Sequence, residues 1–95
     1  MIKSIDRCGS ASVTFTLPAA VRASHVVICG EWNRWSPEHD VMERVADGFS
    51  LTVALQAGRA YRFRYLLDGQ RWENDWDAEM YVHNEFGTED SLISV

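Results

Sequence analysis

The sequence contains little of what metal sites, disulfide frameworks and membrane spans require. Its two cysteines and three histidines lie in separate segments without metal-ligand spacing, so we expect neither a metal site nor a cofactor. No run of about 18 apolar residues occurs, so we expect no membrane association through a spanning helix. A length of 95 residues fits one domain, which excludes a catalytic domain joined to a separate binding domain.

Basic residues are scarce in the last part of the chain. Residues 1–67 contain eight Lys and Arg against six Asp and Glu, whereas residues 68–95 contain one basic and eight acidic residues, giving net charges of +2 and −7. Binding to phosphates needs a clustered basic surface, so we expect no nucleic-acid partner. The acidic segment is interpreted as a solvated edge, with a metal or a cationic partner as the alternative.

The first ten residues lack the apolar stretch of a signal peptide, since charged residues interrupt them at Lys3 and Asp6. We therefore expect a cytoplasmic protein. Cys8 and Cys29 are then expected to be reduced, as a surface thiol and a half-buried strand residue, while a disulfide between them is the alternative for an exported protein. Residues 1–10 are interpreted as an N-terminal extension and residues 11–95 as the folded domain.

Apolar and polar residues alternate with period two along the chain, and no stretch of ten or more residues has a helical period. The pattern predicts an all-β, immunoglobulin-like β-sandwich of about seven antiparallel strands. These strands are predicted at Ser12–Leu17, His25–Trp32, Val41–Val45, Phe49–Leu55, Tyr61–Leu67, Gln70–Asn74 and Ser91–Val95. Residues 75–85 are predicted to form a polar loop whose acidic side chains are solvated.

Two local signals refine this pattern. Gly30 lies within the second predicted strand, where a missing side chain indicates a bulge or a close approach of another backbone segment, and Trp32 shares the inward face of that strand. Asp68 and Gly69 separate two strand-like runs, and both residue types tolerate the positive φ of a tight hairpin turn. The strand after Gly69 is therefore expected to return antiparallel.

The sequence contains no catalytic motif. Nucleophile elbows, phosphate-binding glycine loops and paired histidines of metalloproteases are all absent. A thin sandwich also rarely has the deep cleft that glycoside hydrolysis needs. We therefore expect no catalytic residues and a protein that is not an enzyme.

Tryptophans in polar segments are the most informative feature. Trp35 lies beyond the end of a predicted strand in a polar segment and is predicted to be exposed, unlike Trp32. An exposed indole can stack on the C–H face of a sugar ring while nearby polar groups bind the hydroxyls. The alternative is a tryptophan that folds back as a lid over the edge of a small core.

Four stretches in this order resemble one family over residues 11–95. They are VVICGEWNRWS (26–36), DGF (47–49), YRFRYLLDG (61–69) and NEFGT (84–88). The chain resembles the family-48 carbohydrate-binding modules, which include isoamylase-type early-set domains and the glycogen-binding domain of the AMP-activated protein kinase beta subunit. The resemblance implies the early-set form of the β-sandwich and a carbohydrate-binding role.

The resemblance also implies which residues bind carbohydrate. Trp35 and Trp72 would stack on an α-1,4-linked glucan, and Trp32 would replace a core phenylalanine. The other implied residues are Arg64 at a lysine position, Phe86 at a leucine position, Thr88 as a hydroxyl contact, Asp90 at an asparagine position, and Asn33 and Asn74 as peripheral donors. Asp90 departs from the family because a carboxylate only accepts hydrogen bonds. Arg71 is an extra residue before Trp72 that would turn its indole.

The sequence therefore predicts a non-catalytic module that binds α-1,4-linked glucan, such as glycogen, starch or maltooligosaccharide, by aromatic stacking. A glucan-metabolising enzyme or another protein in trans is a second candidate partner. The alternative is an early-set protein-interaction module that has lost sugar binding, because the fold alone does not determine function.

Overall fold

The computed structural model describes residues 2–5 and 9–95. The described residues form ten strands in two antiparallel sheets, which confirms the predicted all-β sandwich. The strands are β1 (Ile2–Ile5), β2 (Ser10–Pro18), β3 (Val26–Gly30), β4 (Asp40–Val41), β5 (Glu43–Val45), β6 (Gly48–Gln56), β7 (Ala60–Leu67), β8 (Arg71–Glu73), β9 (Met80–His83) and β10 (Glu89–Ser94). Two 3-10 turns, Ala19–Val21 and Glu31–Asn33, follow β2 and β3. Over the described ranges no helix has the length and apolar character needed to cross a membrane.

The sheets contain four and six strands. The smaller has the order β1-β2-β6-β5, and the larger has the order β4-β3-β7-β10-β9, with β8 also paired to β7. The inward side chains of β2 and β7 are buried, as their alternation predicts, and form the centre of the core with residues of β3 and β6. The outer face of the six-stranded sheet carries the remaining, outward-pointing side chains of its strands and does not belong to this core.

Two of the predicted strands differ in the structure, and two strands of the structure were not predicted. The strand predicted at His25–Trp32 ends at Gly30, because the next three residues form a 3-10 turn. The strand predicted at Val41–Val45 is two strands in different sheets, since β4 pairs with β3 and β5 pairs with β6. Two further strands, β1 and β9, were not predicted from the sequence; β1 pairs with β2, and β9 lies within residues 75–85, where a loop was predicted.

Trp32 contributes to the core from the 3-10 turn rather than from a strand. Its ring stacks on Phe15 with 5.6 Å between centroids, and its Nε1 donates a hydrogen bond of 2.9 Å to Asp40. A Cβ atom at Gly30 would lie 2.6 Å from Cζ3 of Trp32. The atoms nearest to this position are therefore those of the Trp32 indole, and not the backbone of another segment as predicted.

Cys29 is more buried than predicted. Its side chain is fully buried in β3, the thiol is free, and Sγ donates a 3.3 Å hydrogen bond to the Ser36 carbonyl. Burial raises the pKa of Cys29 to about 11. The surface thiol predicted at Cys8 lies outside the described residues.

Candidate functional site

The outer face of the six-stranded sheet brings the two predicted stacking tryptophans to one side of the molecule. Trp72 in β8 lies directly opposite Leu66 in β7, so the two side chains share a face. Leu66 also belongs to a small outer cluster with Val27 and Cys29, against which Trp35 packs. Trp35 and Trp72 therefore lie on the same side of the sheet.

The segment after β3 fixes Trp35. Its backbone N–H donates a 2.9 Å hydrogen bond to the Gly30 carbonyl, and Arg34 and Trp35 both have a positive φ of 58°. The indole is half-buried rather than exposed as predicted, because one side of it covers the outer cluster. Packing against Leu66 and Cys29 holds the ring in place while leaving part of it accessible.

An open groove of about 490 Å³ lies beside Trp35. It is lined by Glu31, Trp35, Arg62, Arg64, Asn84, Glu85, Phe86 and Asp90. Four of the predicted site residues, Trp35, Arg64, Phe86 and Asp90, thus meet in one groove. Trp72, Thr88 and Asn33 do not line it.

Arg64 connects the groove to Trp72. The centre of its guanidinium lies 5.0 Å from the centroid of the Trp72 ring, which is a cation–π contact. Its Nε lies 3.1 Å from Oδ1 of Asp90, without the alignment of a hydrogen bond, so the contact is an ion pair. Trp72 is 47% exposed and therefore offers an accessible aromatic surface beside Arg64.

Asn84 organises the opposite wall of the groove. Its Nδ2 donates to Oδ1 of Asp90 at 3.1 Å, and its Oδ1 accepts from the backbone N–H groups of Phe86 at 2.9 Å and Thr88 at 3.2 Å. These bonds fold residues 84–88 into a tight loop. Phe86 at its tip is 80% exposed, an unusual state for a large apolar side chain.

Three other residues predicted to bind sugar are engaged within the protein. The Thr88 hydroxyl bonds to Asn84. Asn33 donates from Nδ2 to the Ile28 carbonyl and to Asp40, and accepts from the Gly30 N–H. Asn74 donates to the Glu89 carbonyl and accepts from a serine hydroxyl. The structure thus gives both asparagines a supporting role in their own loops.

Arg71 points away from the groove. Its guanidinium donates to the carbonyls of Val21 at 3.2 Å and Arg22 at 3.0 Å. The extra residue is absorbed by a three-residue turn, since Leu67 pairs with Arg71, and Trp72 keeps an outward orientation. The strand predicted at Gln70–Asn74 correspondingly begins at Arg71.

Three groove residues, Glu31, Arg62 and Asn84, were not predicted from the sequence. Arg62 has the same outward parity as Arg64 in β7, and this signal was available from the sequence. Glu31 and Asn84 lie in a turn and a loop, where no periodicity indicates orientation. Within the described ranges, no group of three or more His, Cys, Asp or Glu side chains could hold a metal ion.

Comparison with known proteins identifies the family of this chain. A family model described as the glycogen recognition site of AMP-activated protein kinase matches residues 12–95, and a search of curated proteins found no match. The family is a carbohydrate-binding module, which is a non-catalytic kind of domain. Because the match covers nearly the whole chain, including every residue of the groove, the chain belongs to the family of the glycogen recognition site of AMP-activated protein kinase.

Proposed function

We propose that the protein binds α-1,4-linked glucan, such as glycogen, starch or maltooligosaccharide, on the outer face of its six-stranded sheet. The observation that carries the proposal is the groove lined by Trp35 and Phe86 together with hydrogen-bonding side chains. The family membership supports a glucan as the ligand. No catalytic step is required of any residue.

The aromatic side chains would provide the stacking surfaces. Trp35 is held from behind by the outer cluster, so little side-chain entropy is lost when a sugar ring stacks on it. Trp72 is steadied by Arg64, and Phe86 projects from its loop next to the groove. A glucan chain would lie along these three rings.

Polar side chains would fix the orientation of the sugar. Nε of Arg64 faces Asp90, which leaves the terminal N–H groups of the guanidinium to donate to hydroxyls. Asp90 does not replace the donor that an asparagine would supply. Instead it balances the charge of Arg64, with which it forms an ion pair.

The expected affinity is weak. The groove is open and its ligand is neutral, so a few stacking contacts and solvent-exposed hydrogen bonds would give dissociation constants of about 1 μM to 1 mM. Binding should change little with salt, because screening acts on charged ligands. We expect this module to act in the cytoplasm, with a glucan-metabolising enzyme or another protein as a partner in trans.

The test is a calorimetric titration with maltoheptaose and glycogen, with tryptophan fluorescence as a second readout. The variant Trp35→Ala removes a stacking surface and should weaken binding about thirtyfold, which corresponds to roughly 2 kcal/mol. Trp76→Ala is the matched control, because Trp76 is 54% exposed but does not line this groove.

Saturable binding that Trp35→Ala weakens and Trp76→Ala leaves unchanged is the expected result. Thermal unfolding of both variants is measured alongside, since Trp35 also covers the outer cluster. Absence of any glucan binding up to millimolar sugar would refute the proposal and favour a protein-interaction module. Binding that a folded Trp35→Ala variant fully retains would remove Trp35 from the site.

A further inference from the structure

One guanidinium at the groove has no partner among the residues that the structure describes. Arg62 and Arg64 project from the same face of β7 and both line the groove. Arg64 is paired with Asp90 and stacked on Trp72. The Arg62 guanidinium, by contrast, has no hydrogen bond, ion pair or ring contact with any residue in the described part of the chain, and the residue as a whole is half-buried.

A backbone hydrogen bond holds Glu31 beside Arg62. Because β3 ends at Gly30, opposite Phe63, no further residue of β3 can accept the next N–H group of β7. The Glu31 carboxylate takes this place and accepts the backbone N–H of Arg62 through Oε1 at 2.7 Å. The other carboxylate oxygen of Glu31 has no partner among residues 2–5 and 9–95, and Glu31 is one of the residues that line the groove.

The two side chains therefore add a donor and an acceptor to the lining of the same groove. A guanidinium has several N–H donors in one plane, and a carboxylate oxygen only accepts. A sugar hydroxyl does both, so neighbouring hydroxyls of one ring can bind both groups at once. Trp35 lines the same groove and would supply the apolar face.

The charges of the groove indicate a neutral ligand. Two arginines line it together with three acidic residues, Glu31, Glu85 and Asp90. Such a surface does not concentrate the positive charge that phosphate recognition requires. A neutral sugar avoids both the repulsion of the carboxylates and the loss of an ion's hydration.

We propose that Glu31 and Arg62 form a hydrogen-bonding subsite that recognises the hydroxyls of one neutral glucose unit adjacent to Trp35. The subsite deepens the proposed function and rests on it. Arg62 is the donor and Glu31 is the acceptor. Arg62 reaches the groove because it occupies an outward-facing position of β7, and Glu31 reaches it because β3 ends at Gly30.

The test compares Arg62→Ala with Arg44→Ala by calorimetric titration with maltoheptaose. Arg44 lies in β5 of the other sheet, with its guanidinium 5.7 Å from the Phe49 ring centroid, so this control removes the same charge far from the groove. The Arg62→Ala variant loses one or two hydrogen bonds to the sugar, so it should bind maltoheptaose roughly three- to tenfold more weakly than the wild type. Arg44→Ala should bind like the wild type.

Glu31→Gln is a second variant that protects the test against a folding defect. The amide oxygen can still accept the Arg62 N–H, so the fold should be kept, while the free acceptor in the groove is altered. We expect a loss of about threefold in affinity at an unchanged melting temperature. Titration with inorganic phosphate should show no binding.

The possible results separate the subsite from the proposed function. Wild-type binding that Arg62→Ala and Glu31→Gln both retain would overturn the subsite and leave glucan binding standing. Equal losses in Arg62→Ala and Arg44→Ala would overturn it too, because net charge would then be the cause. Phosphate binding as strong as maltoheptaose binding would overturn the inference that the subsite takes a neutral ligand. Absence of any wild-type glucan binding would overturn both proposals.

Discussion

Oδ1 of Asp90 lies 3.1 Å from Nε of Arg64, although the two residues are 26 positions apart in the sequence. Both side chains are largely withdrawn from solvent, with 6% and 18% exposure respectively. Asn84 donates to the same Asp90 oxygen and thereby links the ion pair to the loop that ends in Phe86. The cationic side of the groove and its aromatic wall are thus held by one carboxylate.

Removal of that carboxylate should destabilise the fold. Asp90→Ala leaves Arg64 without a counter-charge in a poorly hydrated position, and the expected loss is about 3 kcal/mol, at the low end for breaking a buried pair because Arg64 keeps some solvent contact. Asp90→Asn keeps the size and one accepting oxygen, so its loss should be smaller. Urea unfolding followed by fluorescence measures both.

The neighbouring exposed residue provides the control for this prediction. Glu89→Gln removes a negative charge one position away on the exposed side of β10 and should change stability by less than about 0.5 kcal/mol. If Asp90→Ala is as stable as Glu89→Gln, the ion pair makes no net contribution.

The sequence was sufficient to predict the strands whose two faces differ. In β2, β6 and β7, buried and accessible positions alternate, and a one-residue slip would bring polar groups into the core. It was not sufficient for β9, whose four residues are exposed or half-buried and have no alternation. This strand exists because β10 offers its backbone groups as partners, a condition that no local pattern in Met80–His83 reveals.

The aromatic residues of the candidate site could be predicted from the sequence, whereas the partners of its polar residues could not. Stacking residues were recognisable because a tryptophan in a polar segment is conspicuous, whereas the pairing of Arg64 with Asp90 depends on the adjacency of β7 and β10. Asp75 shows the same limit: its carboxylate was interpreted as solvated but is buried, and accepts a 2.5 Å hydrogen bond from the core hydroxyl of Tyr65. Long-range partners of this kind are set by the completed fold.

Gly30 should not tolerate a side chain. Gly30→Ala places a Cβ 2.6 Å from the Trp32 indole, and because that ring is stacked on Phe15 it cannot move freely, so a loss of about 1 to 3 kcal/mol is expected. Trp32→Phe removes the ring atoms that would clash. The double variant should therefore lose less free energy of unfolding than the sum of the two single variants. Strict additivity would show that the close contact is absent.

The Cys29 thiol should be unreactive in the folded protein. Its pKa of about 11 leaves about one thiol in a thousand ionised at pH 8, and Trp35 and Leu66 pack with it on the outer face of the sheet. The measurement is the rate of reaction with Ellman's reagent in a Cys8→Ser background, with and without urea. Adding Trp35→Ala should increase the native rate. A wild-type Cys29 that reacts as fast folded as unfolded would contradict the burial of this thiol.

Asp68 should make the stability depend on pH in acid. Its Oδ1 accepts the backbone N–H groups of Ser24 at 2.8 Å and His25 at 2.9 Å, and these bonds hold the pKa of Asp68 below its ordinary value of 3.8, with smaller help from the charges of Arg71 and His25. A carboxyl with a lowered folded-state pKa stabilises the fold above the unfolded value. That contribution is lost as the pH falls through the folded-state pKa.

Asp68→Asn isolates this effect, because asparagine also tolerates the φ of 53° at this turn position and retains an accepting oxygen without a charge. The difference in free energy of unfolding between wild type and Asp68→Asn should be constant from pH 7 to about 5 and should shrink below 3.8. Urea midpoints measured at half-unit pH steps from about 7 to 2.5 provide the curve, since all other carboxyls titrate equally in both proteins. A difference that stays constant down to the lowest pH would show that Asp68 has the same pKa folded and unfolded, and that the two N–H groups do not stabilise its charge.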